Sequence, residues 1–140
     1  MQFKDERKND IEPFSYSSVD RPWGYYVNYA NNIPCTVKIL WVKKGEGLSL
    51  QFHFQRDQLY VLLDDGFTIT DGEDVIENAK EGMTFGFPRE HVHRAEYFGN
   101  KQYGRVLDVA FGKNLEEDII RVLDRYHRGN GKLVQGDKNE

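Results

Sequence analysis

A single cysteine, Cys35, rules out an internal disulfide and leaves a chain compatible with a reducing compartment. No apolar run approaches the roughly 18 residues of a membrane helix, and no signal-peptide pattern is present. The sequence gives no support for a membrane or secreted location, so the expectation is a cytoplasmic protein. Basic residues are not in excess either: 19 Lys and Arg stand against 23 Asp and Glu, a net charge of −4. Without a basic stripe to neutralise phosphates, nucleic acid is excluded as the main partner. Internal repeats and low-complexity tracts are also missing. What remains is an ordinary balance, 39% hydrophobic and 30% charged over 140 residues, enough for one domain around one core.

Period-two alternation is the dominant pattern. Trp23 to Tyr29 reads as an aromatic strand after Pro22, and Asn31-Asn32 as a turn. Val37 to Lys43 sets Val37, Ile39 and Trp41 against Lys38, Leu40 and Val42, a strand apolar on both faces except at Lys38. Gln58 to Leu63 places Gln58, Tyr60 and Leu62 on one face. Asp64-Asp65-Gly66 and Asp71-Gly72 are hairpin signals around the short strands Phe67 to Thr70 and Asp74 to Glu77. Met83 to Phe87 ends at Pro88, and Tyr103 to Phe111 sets Arg105, Leu107, Val109 and Phe111 against Val106, Asp108 and Ala110. Short strands at this spacing indicate an all-β sandwich or barrel.

Helical spacing occurs once. Asn114 reads as an N-cap with Glu117 three residues later, followed by the apolar stripe Leu115, Ile119, Val122, Leu123 and Tyr126. Arg125 and Arg128 suit the helix end, and Gly129-Asn130-Gly131 stops it. The expectation is one C-terminal α-helix laid on the barrel. Residues 1–20 read as a polar leader, loosely ordered or an arm pairing with a second copy in a homodimer, and 129–140 as a frayed tail.

The stretch Gly45 to Gly66, GEGLSLQFHFQRDQLYVLLDDG, carries the chemistry. Leu48, Leu50, Phe52 and Phe54 share one face of a strand, and Ser49, Gln51, His53 and Gln55 the other. The plain reading turns the polar face to water. If that face lines a barrel, Gln51 and His53 project the same way, about 7 Å apart, and can converge on one ion. A second segment, Gly82 to His93, sets Pro88 and His93 at fixed offsets from Gly82.

Two such boxes in order resemble the cupin superfamily. Gly45, Gln51, His53 and Gln58 fall in the first box, with Asp65 at its closing position and Gly66 one late. Gly82, Pro88 and His93 fall in the second, with Tyr97 where Asn is usual. Arg21-Pro22-Trp23-Gly24, Leu48-Ser49-Leu50-Gln51, Glu117 to Arg121 and Asp124-Arg125-Tyr126 narrow the resemblance to the cupin module of type II phosphomannose isomerases. It spans roughly Arg21 to Arg128 and implies a double-stranded β-helix barrel. In that family the module often accompanies a part that makes GDP-mannose. Only a short polar leader precedes Arg21 here, so a stand-alone module is expected.

The resemblance implies a divalent metal, zinc above others, on Gln51, His53, Gln58 and His93. The family carries Glu where this chain has Gln58, which removes the only anionic ligand and implies a weakly held ion. The alternative is an inward polar network around bound water. His91 is either a replacement ligand or a rim residue. Moving a proton between C1 and C2 of mannose 6-phosphate, to give fructose 6-phosphate, also needs a base and a cationic clamp for the phosphate. The clamp candidates are Arg94, which follows His93 as in the family, then Arg56, Arg89 and Arg105. The family also carries Arg where Gly47 stands. Glu46, Asp108 and Tyr60 are candidate bases, and inward Tyr60 or Tyr25 could stack on a sugar ring. The functional expectation is an isomerase of a sugar phosphate, weakened by these departures. The rivals are a non-catalytic cupin binding a sugar or sugar nucleotide, as a sensor or accessory subunit, and a metal dioxygenase, whose three His and a carboxylate this chain lacks.

Overall fold

Antiparallel strands joined by short turns build the computed structural model, which describes residues 17–30, 35–124, 126 and 128. In chain order they are β1 (Ser17–Arg21), β2 (Gly24–Ala30), β3 (Cys35–Lys43), β4 (Leu50–Phe52), β5 (Arg56–Leu62) and β6 (Phe67–Asp71). There follow β7 (Asp74–Ala79), β8 (Thr84–Phe87), β9 (His93–Tyr97), β10 (Tyr103–Gly112) and β11 (Ile120–Leu123). One sheet runs β1-β2-β3-β10-β5-β8 and the other β11-β4-β9-β6-β7. Because β4 and β5, and again β8 and β9, lie in different sheets, the chain steps across the barrel at each of those turns.

Alternation decides what fills the space between the sheets. Leu40 and Val42 on β3, Tyr60 and Leu62 on β5, Phe67 and Ile69 on β6, and Val106 on β10 form one buried cluster. Removing a large aliphatic or aromatic side chain from water contributes about 1.5–3 kcal/mol each, so this set is the main favourable term for the fold. The opposite positions of β3 and β10, Ile39, Trp41, Leu107 and Val109, are only partly covered.

Two expectations are corrected. The strand expected over 48–55 is short, and its polar face does not turn to water as the plain reading has it. Ser49, Gln51 and His53 are buried along with Leu48, whereas Leu50 and Phe52 are partly covered and Phe54 is 50% exposed. The polar face can turn inward because partners await it there. The Ser49 hydroxyl donates to Gln51 Oε1 at 2.8 Å, and His53 Nδ1–H donates to the Asp118 carbonyl at 3.1 Å.

The C-terminal helix does not form among the described residues. Its place holds one 3-10 turn, Glu116–Asp118, followed by β11, which pairs with β4. The physical reason is Asp118. Its carboxylate accepts from the backbone N–H groups of Phe54 and Gln55 at 3.0 and 2.8 Å, donors that lie beyond the paired part of β4. An edge of β4 left bare would expose a row of backbone groups, and β11 covers it. Helical spacing of Leu115, Ile119 and Val122 is outweighed by this pairing. The leader expected over 1–20 gives up its last residues to β1, which pairs with β2. Residues 1–16 and 129–140, on which the arm and tail expectations fall, lie outside the described residues.

Asp118→Ala removes two hydrogen bonds to a charged acceptor and should lower the free energy of unfolding by about 2–3 kcal/mol, read by urea denaturation. A loss under about 0.5 kcal/mol, the scatter of ordinary surface changes, would show that Asp118 does not hold this segment.

Candidate functional site

Strand register aligns the inner side chains in rungs. In the first sheet Lys38 faces Asp108 and Asp108 faces Tyr60, while the next rung holds Thr36, Ala110, Gln58 and Phe87. In the second sheet Arg121 faces Gln51, Gln51 faces His93, and His93 faces Asp71. Where these rungs meet, the structure brings together Gln51, His53, Gln58 and His93, all buried.

The two imidazole rings lie 5.0 Å apart, and Phe87 stacks on His93 at 4.4 Å. His93 Nδ1–H donates to the His91 carbonyl at 2.9 Å, as His53 does to that of Asp118. Both Nε2 atoms are therefore left as acceptors. His93 Nε2 is buried without a hydrogen-bond partner, as is Gln58 Oε1. Burial, then the Arg56 guanidinium, lowers the pKa of His53 to about 2. Burial alone is the largest cause holding His93 down to about 4. Neutral imidazoles and a spare amide oxygen fit the coordination chemistry of a zinc-like ion. They bring no charge to it. Among the described residues no group of three or more His, Cys, Asp or Glu converges. Arg56 Nη2 moreover stands 3.2 Å from His53 Nε2, donating to the lone pair an ion would take.

Other candidates fall elsewhere. Arg94 is one residue on from His93, so alternation carries it to the other side of β9, with Nε 3.4 Å from Glu96 Oε1. Arg105 holds Asp64 at 3.0 Å and Arg89 is exposed. Glu46 accepts the Tyr126 hydroxyl. His91 Nε2 lies 2.5 Å from Asp71 Oδ1, away from the two Nε2 acceptors. Tyr25 stacks on Trp41 at 5.6 Å on the outer face, whereas Tyr60 is fully buried inside.

Asp108 is the carboxyl of the interior. Gln58 Nε2 donates to its Oδ1 at 2.8 Å, and burial raises its pKa against the lowering pull of Lys38. A cavity of about 50 Å³ opens beside it, lined by Gln51, Arg56, Gln58, Tyr60 and Asp108 among others. A second, of about 220 Å³, adjoins it through shared walls: Arg21, Tyr26, Lys38 and Arg56. Neither imidazole lines either cavity. A larger cavity, about 550 Å³, lies at the far ends of β5 and β9, where the Asp64 carboxylate already binds Lys101 and Arg105. Its lining holds no imidazole and no buried unpartnered group.

Sequence reasoning missed Lys38, Arg21 and Arg121 as site residues. Lys38 had a signal, being the single charged residue on an otherwise apolar strand. Arg121 had none, because its segment read as helix. At Gly47 a Cβ would meet Glu96 Cγ at 2.5 Å and the Ala95 carbonyl oxygen at 3.0 Å, so a larger residue at this position requires Glu96 and the neighbouring backbone to shift.

Comparison with known proteins adds the following. Residues 8–125 match the family model described as mannose-6-phosphate isomerase C-terminal. A mannose-1-phosphate guanylyltransferase of Escherichia coli K12 is 34% identical over 115 residues, 81% of this chain and 23% of that protein. The xanthan biosynthesis protein XanB of Xanthomonas campestris pv. campestris is 32% identical over 114 residues, 81% of this chain and 24% of that protein. The chain thus spans about a quarter of the length of these curated relatives. An RmlC-like cupin from Shewanella frigidimarina superposes with a TM-score of 0.62 at 18% identity, covering 76% of this chain and 96% of that one. The fold is a cupin barrel.

Two outcomes follow from this geometry. A histidine kept neutral in the fold, below its unfolded pKa near 6.5, weakens the metal-free protein as pH falls from about 6.5 toward the folded value, by up to about 1.4 kcal/mol per pH unit. Above pH 6.5 it has no effect. His93→Gln should flatten the fall in stability between pH 6.5 and 4, measured by denaturant titration at each pH; an unchanged slope would mean His93 already titrates normally. Gly47→Ala should cost about 1–3 kcal/mol by overpacking, and a neutral result would show that Glu96 yields.

Proposed function

The chain belongs to the mannose-6-phosphate isomerase C-terminal family, and from that premise we propose that it binds a sugar phosphate in the barrel and interconverts its aldose and ketose forms. The reaction is of the mannose 6-phosphate to fructose 6-phosphate type. The observation that carries this reading is Asp108, a buried carboxyl with a raised pKa, on the same small cavity as Arg56, Gln58 and Tyr60. The names of relatives in xanthan synthesis and guanylyl transfer to mannose 1-phosphate support a place in carbohydrate biosynthesis.

Volume supports an orientation: the cavity of about 50 Å³ suits the C1–C2 end of an open-chain sugar, and the adjoining cavity of about 220 Å³ suits the rest. Isomerisation takes a proton from C2 and returns one to C1, while O2 loses a proton and O1 gains one. Asp108 is the group to carry the carbon-bound proton, since burial brings its pKa toward the working range of a base. Gln58 Nε2 orients it. The unpartnered Tyr60 hydroxyl, on the same cavity, would donate to the enediol oxygens as negative charge develops there. Gln51, His53, Gln58 and His93 would hold a divalent ion, which when bound supplies a Lewis-acid pull on the carbonyl.

A second reading has its own observation. The imidazoles do not line the cavity, Arg56 occupies the His53 lone pair, and among the described residues no group of three or more His, Cys, Asp or Glu converges to hold an ion. These favour a sugar-phosphate-binding cupin without turnover.

A coupled assay for fructose 6-phosphate decides between them. On the isomerase reading, wild type turns over slowly with zinc and Asp108→Asn loses about 100-fold or more. Gln58→Glu should tighten zinc binding by calorimetry, roughly tenfold or more, the scale on which single groups around a metal act. A glutamate at 58 also gives up the donation to Asp108, so its pKa should rise further. Turnover that survives Asp108→Asn would remove the carboxyl from its role. Tight binding of mannose 6-phosphate with no product, even in Gln58→Glu with zinc, would establish the second reading.

A further inference from the structure

Lys38 is a half-buried cation on β3 whose close contact is an aromatic ring rather than a carboxylate. Its ammonium sits 4.3 Å from the centroid of the Tyr26 ring, and the Arg21 guanidinium carbon lies 5.4 Å from the same ring. Arg56 closes the group from β5. Three cations therefore border the 220 Å³ cavity, against one carboxylate in its lining, that of Glu116. Arg21 Nη2 is 3.7 Å from Glu116 Oε2, and the Glu116 side chain is largely exposed. Asp108 lies deeper, across the register from Lys38.

Like charges held this close repel, and an ammonium taken out of water costs several kcal/mol unless an anion answers it. Burial is the largest cause lowering the Lys38 pKa; Asp108 pulls it back up, and Arg56 and Arg21 lower it further. A core position on β3 between Thr36 and Leu40 would accept an apolar residue at lower cost. The arrangement is what a dianion would neutralise. Two guanidinium forks and one ammonium suit the several oxygens of a phosphate better than the flat pair of a carboxylate.

We propose that Arg21, Lys38 and Arg56 form the phosphate subsite of the barrel, taking the terminal phosphate of a phosphosugar. The inference rests on the sugar-phosphate reading above and names the part of the cavity that reads the phosphate. The carbonyl end then points inward to Asp108, and the phosphate stays near the mouth beside Glu116. Arg94, the clamp expected from the sequence, has no place in it. Tyr26 acts as a positioning residue, its ring face holding Lys38 and Arg21 on one side of the cavity.

The experiment is calorimetric titration of the full chain with mannose 6-phosphate, mannose and inorganic phosphate, beside the fructose 6-phosphate assay. Wild type should bind mannose 6-phosphate, bind inorganic phosphate more weakly, and ignore mannose. Lys38→Met and Arg21→Gln should each weaken mannose 6-phosphate binding roughly tenfold or more, as expected for a lost charge-assisted contact. Lys80→Gln, which removes a charge beside the cavity at the far ends of β5 and β9, should bind as wild type does. Thermal melting keeps the test clear of unfolding: Lys38→Met deletes a desolvated charge but also leaves Asp108 without its neighbouring cation, so binding is compared at a temperature where each variant is folded. Binding that depends on Lys38 without any product would sink the isomerase reading and leave the subsite standing. Turnover with an unchanged KM in both Lys38→Met and Arg21→Gln would overturn the subsite and leave the isomerase. No binding of mannose 6-phosphate to wild type, or a loss in Lys80→Gln instead, would also overturn it.

Discussion

The pairing of β10 with β3 on one side and β5 on the other is the constraint from which the interior follows. One register puts Asp108 between Lys38 and Tyr60, and the next rung puts Ala110 between Thr36 and Gln58. A slip by one residue would carry every one of these groups to the outer face and bring Leu107, Val109 and Phe111 inward. A buried carboxyl and a half-buried ammonium are tolerable in this alignment, where each moderates the other and Gln58 donates to Asp108. Packing alone would not choose so costly a row.

Satisfying polar groups also explains the irregular part of the barrel. The segment from Ser49 to Gln55 turns its polar face inward and so gives up regular pairing beyond Phe52. Asp118 repairs the loss with its carboxylate on two backbone donors and its carbonyl on His53. One residue outside the main sheets thus fixes both the loop and the tautomer of an interior histidine. The outward apolar face, with Phe54 half exposed and in edge contact with Phe52 at 5.2 Å, is the counterpart of that choice.

Charge separates the two halves of the site. Around His53 and His93 the groups are neutral donors and acceptors, with unpartnered atoms at His93 Nε2 and Gln58 Oε1. Around Lys38 they are cationic, and Arg56 belongs to both halves through His53 and the shared cavity wall. The neutral half leaves a bound ion to find its counter-charge elsewhere, and the cationic half favours an anionic ligand. Both features are what the proposed phosphate subsite would use.

The sequence by itself determined the strands, most of their ends and the residues that converge. Period-two alternation and glycine turns are local signals, and they located the extents of β3, β5, β6, β8 and β10 within a residue or two. The spacing of two boxes was enough to collect Gln51, His53, Gln58 and His93, because strand periodicity fixes which side chains share a face. What local pattern could not decide was which face is inside. The apolar face of β4 looked like core, yet partners held by residues 49 and 118 turned the polar face inward. Nor could spacing tell a helix from a 3-10 turn and an edge strand over 114–123, since pairing with β4 and the capping by Asp118 depend on residues more than 60 positions away. Only the tertiary structure joined Arg21, Lys38 and Arg56 around one cavity, moved Arg94 out of it and closed the space beside Gly47. Those outcomes depend on contacts between distant strands, and a linear pattern carries no record of distance.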